Sequence, residues 1–318
     1  MKKIILILLC LTLLLGVGTV LGGCQPATDR TGTTIVAVGF AGYDFARSVL
    51  SRYTENGGDG VVQLIILGKP GQDMHSFEPT AQDIITLAGA DVVICTGAEG
   101  WLDAALASSG NTSARVVSMM EACDVYAADH DHDHDHSHED GSCALIGNDE
   151  HVWLSVDYAG RIVRGITDAL KQADPENAAA WEASAGQYTA ELEALDTEFH
   201  DAVKTAVRKQ VVVADRHPFV YLFSELGLDC VAAFPGCSSE TSASFETQVK
   251  LIEFTKTHEL PYIFIIEGSD SKVAQVVADE TGAEILTLNS LQVVTDYENT
   301  TYLSVMRQNL ENLKKALR

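Results

Sequence analysis

Positive charge is scarce in this sequence. Its 318 residues carry 21 lysines and arginines against 45 aspartates and glutamates, a net charge of −24. That balance argues against nucleic acid and anionic lipid surfaces as partners, and it favours solubility and the attraction of cations. Nucleotide signatures are missing as well. There is no GxxxxGK[ST], and no GxGxxG opens a helix after a strand, so phosphate-cradling chemistry has no foothold. His-Glu-x-x-His is absent, which counts against a zinc hydrolase, and Cys-x-x-Cys is absent, which counts against a zinc thiolate site. Between Glu176 and Ala206 the strong helix breakers are missing, apart from Gly186.

What is present begins with Lys2 and Lys3, followed by an apolar run from Ile4 to Leu15 and by Val20-Leu21-Gly22-Gly23-Cys24. A basic start, an apolar stretch and small residues before a cut describe an export signal over residues 1–23. A membrane-spanning anchor is the competing reading of so long an apolar run. Leu21-Gly22-Gly23-Cys24 resembles a bacterial lipobox, which implies lipidation of Cys24 and a short flexible tether over 24–32. Lys2 and Lys3 are the only charges before Cys24, so the mature chain carries −26. Its length accommodates two domains, each with a proper core. Of the seven cysteines, Cys95, Cys123, Cys143, Cys230 and Cys237 lie beyond the tether, an odd number for an exported protein. Cys123 with Cys143 and Cys230 with Cys237 are both possible disulfides.

Periodicity reads as an α/β chain in two lobes. In the first (33–160), apolar strand-length runs at Thr33–Gly39, Val61–Leu67, Asp91–Thr96 and Ala114–Ser118 alternate with helical spacing. Continuous apolar strands separated by helices indicate a mainly parallel sheet covered on both faces. A linking segment (161–208) follows. There Asp174-Pro175-Glu176 starts a helix expected over 175–206, with Trp181, Ala185, Tyr188, Leu192, Leu195, Phe199 and Val203 on one stripe. So long a helix suits a brace between lobes. The alternation resumes over 209–318, with strands at Gln210–Ala214, Cys230–Phe234, Tyr262–Ile266 and Glu284–Leu288.

Metal chemistry declares itself most openly in Asp129–Asp140, DHDHDHDHSHED. His130, His132, His134, His136 and His138 offer imidazoles to borderline cations, and the interleaved acids add attraction. A run this polar cannot form a core and reads as a surface loop suited to weak, transient capture. Three further histidines stand at strand or helix ends: His75, His151 and His217. Carboxyl ends of parallel strands face a ligand crevice. Three imidazoles and one further ligand make a common Zn²⁺ site. His200 and His258 have no comparable setting and read as structural or exposed.

Several segments together resemble one family: the lipobox, Asp73-x-His-Ser-Phe-Glu-Pro-Thr80, Asp149-x-His-Val-Trp-Leu154, the acidic histidine loop between them, the Ile-Phe-Ile-Ile-Glu267 strand, and Thr281-Gly-Ala-Glu-Ile-Leu. The chain is similar to the metal-binding lipoproteins of bacterial zinc and manganese ABC importers, those built on a rigid backbone helix. The resemblance implies two lobes, each with a roughly four-stranded sheet, and a metal between them. It implies a monomeric receptor anchored through Cys24 on the outer face of the cytoplasmic membrane, with an ABC permease and its ATPase as partners. The cargo is a transported ion, Zn²⁺ on the weight of its imidazoles, with Mn²⁺, Ni²⁺ and Cu²⁺ as alternatives. His75 and His151 carry over as ligands. Two departures remain. The family places its third ligand three residues before the Phe of a Phe-x-Tyr segment, which is Arg216 here, with His217 one place late. Where relatives often carry Asp after the last strand, this chain has Asn289-Ser290-Leu291. The fourth ligand is left among Glu240, Glu267, Asp215 and water. A zinc-dependent hydrolase, with Glu150 beside His151, and a surface metal buffer or adhesin stand as alternatives to a transport receptor.

Overall fold

The computed structural model describes residues 32–125, 149–236 and 243–318. The segments 1–31, 126–148 and 237–242 lie outside it, and with them Cys24, the histidine loop, Cys143, Cys237 and Glu240. The unit Thr33–Arg318 is compact.

The first sheet comprises β1 (Thr33–Ala37), β2 (Val62–Ile66), β3 (Val92–Cys95) and β4 (Arg115–Ser118), in the order β2-β1-β3-β4 and all parallel. Its crossovers carry α1 (Phe40–Leu50), α2 (Ala81–Leu87) and α3 (Leu102–Ser109), and α4 (Met119–Ala122) is a single turn after β4. Thr80 and Asp83 form a reciprocal capping box that starts α2. The second sheet repeats the plan with β5 (Gln210–His217), β6 (Asp229–Pro235), β7 (Tyr262–Ile266) and β8 (Glu284–Leu288), in the order β6-β5-β7-β8, again parallel. Here the helices are α7 (Val220–Glu225), α8 (Phe245–Thr257), α9 (Lys272–Thr281) and the closing α10 (Tyr302–Leu317).

Between the sheets run α5 (Val156–Ala173) and α6 (Ala178–Lys204). The expected boundary at 160/161 falls inside α5, whose N-cap is Ser155, so the linking segment is a pair of packed helices that begins earlier. Helix α6 starts after a 3₁₀ turn at Pro175–Asn177 and its 27 residues span about 40 Å, shorter than the expected 175–206. The predicted stripe is its buried face, from Trp181 to Val203. One continuous apolar cluster joins Ile35 and Val92 of the first sheet, Tyr188 and Phe199 of α6, Leu310 of α10, and Val211 and Phe264 of the second sheet. Each fully buried large side chain contributes about 1.5–3 kcal/mol relative to exposure. A core shared this way makes the two lobes one packed body.

The cysteine expectations divide. Cys230 is disulfide-bonded, with its partner outside the described residues. Cys123, for which a bridge to Cys143 was one possibility, is a free, buried thiol with Sγ 3.8 Å from the Tyr158 carbonyl. Burial pushes that thiol up to about 12. Cys95 is likewise free and buried.

Candidate metal centre

Both lobes contribute to a crevice at the carboxyl ends of their strands. On the first-lobe side, His75 sits in a 3₁₀ turn (Met74–Ser76) whose start is capped by Asp73, which accepts the His75 amide at 3.0 Å. His151 enters a second 3₁₀ turn (Val152–Leu154) and is fully buried. Each imidazole is held by a neighbouring acid: His75 Nδ1 lies 2.9 Å from Glu150 Oε1, and His151 Nδ1 lies 2.8 Å from Asp149 Oδ1. A carboxylate can only accept, so Nδ1 carries the hydrogen in both rings and Nε2 is left with its lone pair. Fixing a tautomer through the other ring nitrogen is how metal-binding histidines are prepared. The Glu150 contact also raises the His75 pKa, against a smaller opposing effect of burial.

The two rings meet edge to face with centroids 5.5 Å apart. Their Nε2 atoms converge on the side-chain amide of Gln292 from the second lobe, at 2.9 Å from His75 and in close contact with His151. An amide NH₂ thus stands where a cation would accept both lone pairs. Three ligand atoms, from His75, Glu150 and His151, lie within 4.8 Å of one another.

Gln292 is placed by an unusual turn after β8. Leu291 is buried with a left-handed backbone, φ 62°, a conformation that costs a branched residue roughly 1–2 kcal/mol. Neighbouring bonds hold it there. Glu267, at the end of β7, accepts from the Ser290 amide (2.7 Å), the Ser290 hydroxyl (2.6 Å) and the Gln292 amide (3.3 Å). Trp153 Nε1 donates to the Ser290 carbonyl at 3.0 Å, tying the turn to the first lobe. Glu267 therefore spends both carboxylate oxygens supporting the turn, outside the cluster of converging ligand atoms. Asp215 is similarly engaged with the Arg216 and Ile266 amides.

His217 ends β5 rather than following it. Between Val213 and Arg216 the strand carries one more residue than β6 opposite, a bulge. An inserted residue re-aims the side chains that follow, so His217 turns inward and Arg216 outward. His217 packs against Phe223 (5.0 Å between ring centroids), and neither ring nitrogen has a hydrogen-bond partner among the described residues. Burial, with a further push from His151 and an opposing pull from Asp149, lowers its pKa to about 4. A neutral buried imidazole with unspent nitrogens is costly unless something coordinates it. Gly236 lets the lobes close here: a Cβ would meet Asp149 Oδ2 at 2.9 Å and the His217 carbonyl at 3.1 Å.

A cavity of about 220 Å³, walled by Phe40, Met74, Phe77 and Trp101, opens onto His75 and Gln292. Of the three histidines singled out in the sequence, His75 and His151 come together with Glu150, while His217 stands outside that cluster of ligand atoms; Gln292, which carries no ligand signature, was not among the residues named. The sequence reading also missed Asp149 and Glu150 as orienting groups, although Asp-Glu-His displays them.

Comparison with known proteins gives the family. The model of the family described as "Zinc-uptake complex component A periplasmic" matches residues 46–316. The chain is 31% identical over 290 residues to a high-affinity zinc uptake system protein of Bacillus subtilis, covering 89% of this chain and 87% of that protein. It is 28% identical to a zinc-binding protein of Streptococcus pyogenes, of which it spans only 55%. A crystal structure of a metal-dependent lipoprotein of Bacillus subtilis, 29% identical, superposes with a TM-score of 0.71 over 90% of this chain and 99% of that one. Among the described residues no helix is long and apolar enough to cross a membrane. With the family match running through both lobes, this chain belongs to the periplasmic component A family of zinc-uptake complexes.

Proposed function

We propose that this protein captures Zn²⁺ in the crevice on Nε2 of His75 and His151 and on the buried ring of His217, and releases it to an ABC permease driven by a separate ATPase. One observation carries the reading: two acid-locked imidazoles of one lobe converge on a single polar group of the other. Ligands drawn from both lobes let ion binding register in the relation between them, which is what a docking permease reads. The relatives' zinc names support the choice of ion. So does the donor set, since imidazoles and a neutral amide suit Zn²⁺ better than Mn²⁺, which prefers harder oxygens. Gln292 is the fourth group at the ion: rotation of its amide replaces NH₂ by the carbonyl oxygen. Glu267 supports that loop.

Cys24 anchors the mature chain through lipid outside the cytoplasmic membrane, and the histidines of Asp129–Asp140 gather ions weakly before transfer to the cleft. The receptor reading displaces the hydrolase because the acids beside the histidines are spent orienting rings. The test is zinc stoichiometry and affinity of the purified chain, with and without His75→Ala. One tight ion lost in the variant is the expected result, and an unchanged tight ion overturns the cleft as its site.

A further inference from the structure

A second constellation lies where α6, α7 and the start of α5 meet. Asp196 and His200 stand one turn apart on α6, Glu225 closes α7, and Ser155 caps α5. One ligand atom from each of Asp196, His200 and Glu225 falls within 4.8 Å of the others. We propose that these three residues form a second divalent-cation site, separate from the crevice, that pins the long helix to the second lobe. Zn²⁺ is the ion that its imidazole and two carboxylates suit.

Three ligand atoms are gathered around one point, and no lysine or arginine among the described residues is paired to them. His200 Nδ1 lies 3.1 Å from the Asp196 main-chain carbonyl. A carbonyl only accepts, so Nδ1 carries a hydrogen, and in the neutral ring Nε2 holds a lone pair. That lone pair faces Glu225 Oε1 at 4.0 Å. The other oxygen, Oε2, is already satisfied by the Ser155 hydroxyl at 2.7 Å, which leaves Oε1 directed at the cluster. Asp196 Oδ1 is buried and lies 3.5 Å from His200 Nδ1, a contact that does not make a hydrogen bond. Among the described residues the ion pairs that the two acids make are both with His200. The effect shows in Glu225, which burial and the nearby Asp196 push up to about 7. A cation resolves all of this at once, accepting the three lone pairs and neutralising two carboxylates. A tetrahedral ion about 2.1 Å from each ligand holds them roughly 3.4 Å apart, so the side chains close by about an ångström. Partial exposure of His200, at 39%, leaves the ion a way in.

The test uses the full chain carrying His75→Ala and His151→Ala with Asp129–Asp140 deleted, so that crevice and loop contribute nothing. Zinc stoichiometry and the visible absorption of bound Co²⁺ are measured against the same protein with His200→Ala or, separately, Glu225→Gln. One residual ion per chain, weakened at least tenfold by either substitution, is the expected result. Thermal melting in chelator checks that the folds match, and the Co²⁺ spectrum of the His200-intact protein reports nitrogen and oxygen ligation without any further substitution. No residual ion, or one indifferent to both substitutions, overturns the proposal. So does an infrared band of a protonated carboxyl at neutral pH that persists with Zn²⁺ present, since a proton then fills the gap. Failure of the crevice reading is distinct: it appears as an unaltered tight ion in His75→Ala, whatever His200 does.

Discussion

The two lobes share a fold plan but prepare their histidines in opposite ways. In the first, His75 and His151 lean on Glu150 and Asp149, so each ring has a fixed tautomer and one outward lone pair. In the second, His217 is buried beside Phe223, and neither of its nitrogens has a hydrogen-bond partner among the described residues. Orientation by hydrogen bond raises the His75 pKa, whereas burial lowers that of His217. Sequence type alone would have treated the three imidazoles as equal. Protons compete with a cation for His75 more than for His217, which stays neutral well into the acid range.

The sharpest way to break this contrast is to remove the supported imidazoles. His75→Ala and His151→Ala are each expected to weaken tight zinc binding more than 100-fold, beyond the range for outer supports. Competition titration measures this, and a loss smaller than tenfold contradicts the assignment. Next comes the unsupported ring. Folded His217 stays neutral down to pH about 4, against an ordinary 6.5 in the unfolded chain. Between those values the unfolded state binds more protons, so stability is present above about 6.5 and is lost as pH falls towards 4. The loss reaches about 3 kcal/mol for this shift. Denaturant unfolding of the metal-free protein along that range measures it, and His217→Leu should flatten the dependence.

Asp149→Ala, which takes away the support and leaves the ligand, is expected to cost about 10–100-fold in affinity. If the cost equals that of His151→Ala, Asp149 does more than orient. Gln292→Glu places a carboxylate at the converging point and should tighten zinc by about tenfold, roughly 1.4 kcal/mol; calorimetry showing weaker binding would put the amide away from the ion. The smallest effect is expected from deleting Asp129–Asp140, which removes weak ions and spares the tight one, read by stoichiometry at low and high zinc. A vanished tight ion there would move the site out of the crevice.

Much of the fold was legible because its signals are local. Strands such as Tyr262–Ile266 and Glu284–Leu288 have the limits read from their apolar runs. The α6 stripe was visible for the same reason, although the helix begins at Ala178, after the 3₁₀ turn. The state of Cys123 stayed open in the sequence because a cysteine's place beside a polar run says nothing of the core it packs into. Gln292 was invisible because a neutral amide becomes a site residue only through what stands opposite it.

Local chemistry in the chain by itself determined the alternation of strand and helix, the apolar face of the brace, and the motifs that place His75 and His151 at element ends. Only the tertiary structure decided the inward turn of His217 through one inserted strand residue. It alone aimed Gln292 between two imidazoles and gathered Asp196, His200 and Glu225 from separate elements. The physical reason is that register, burial and the meeting of distant side chains depend on how elements pack, and no stretch of sequence carries that information alone.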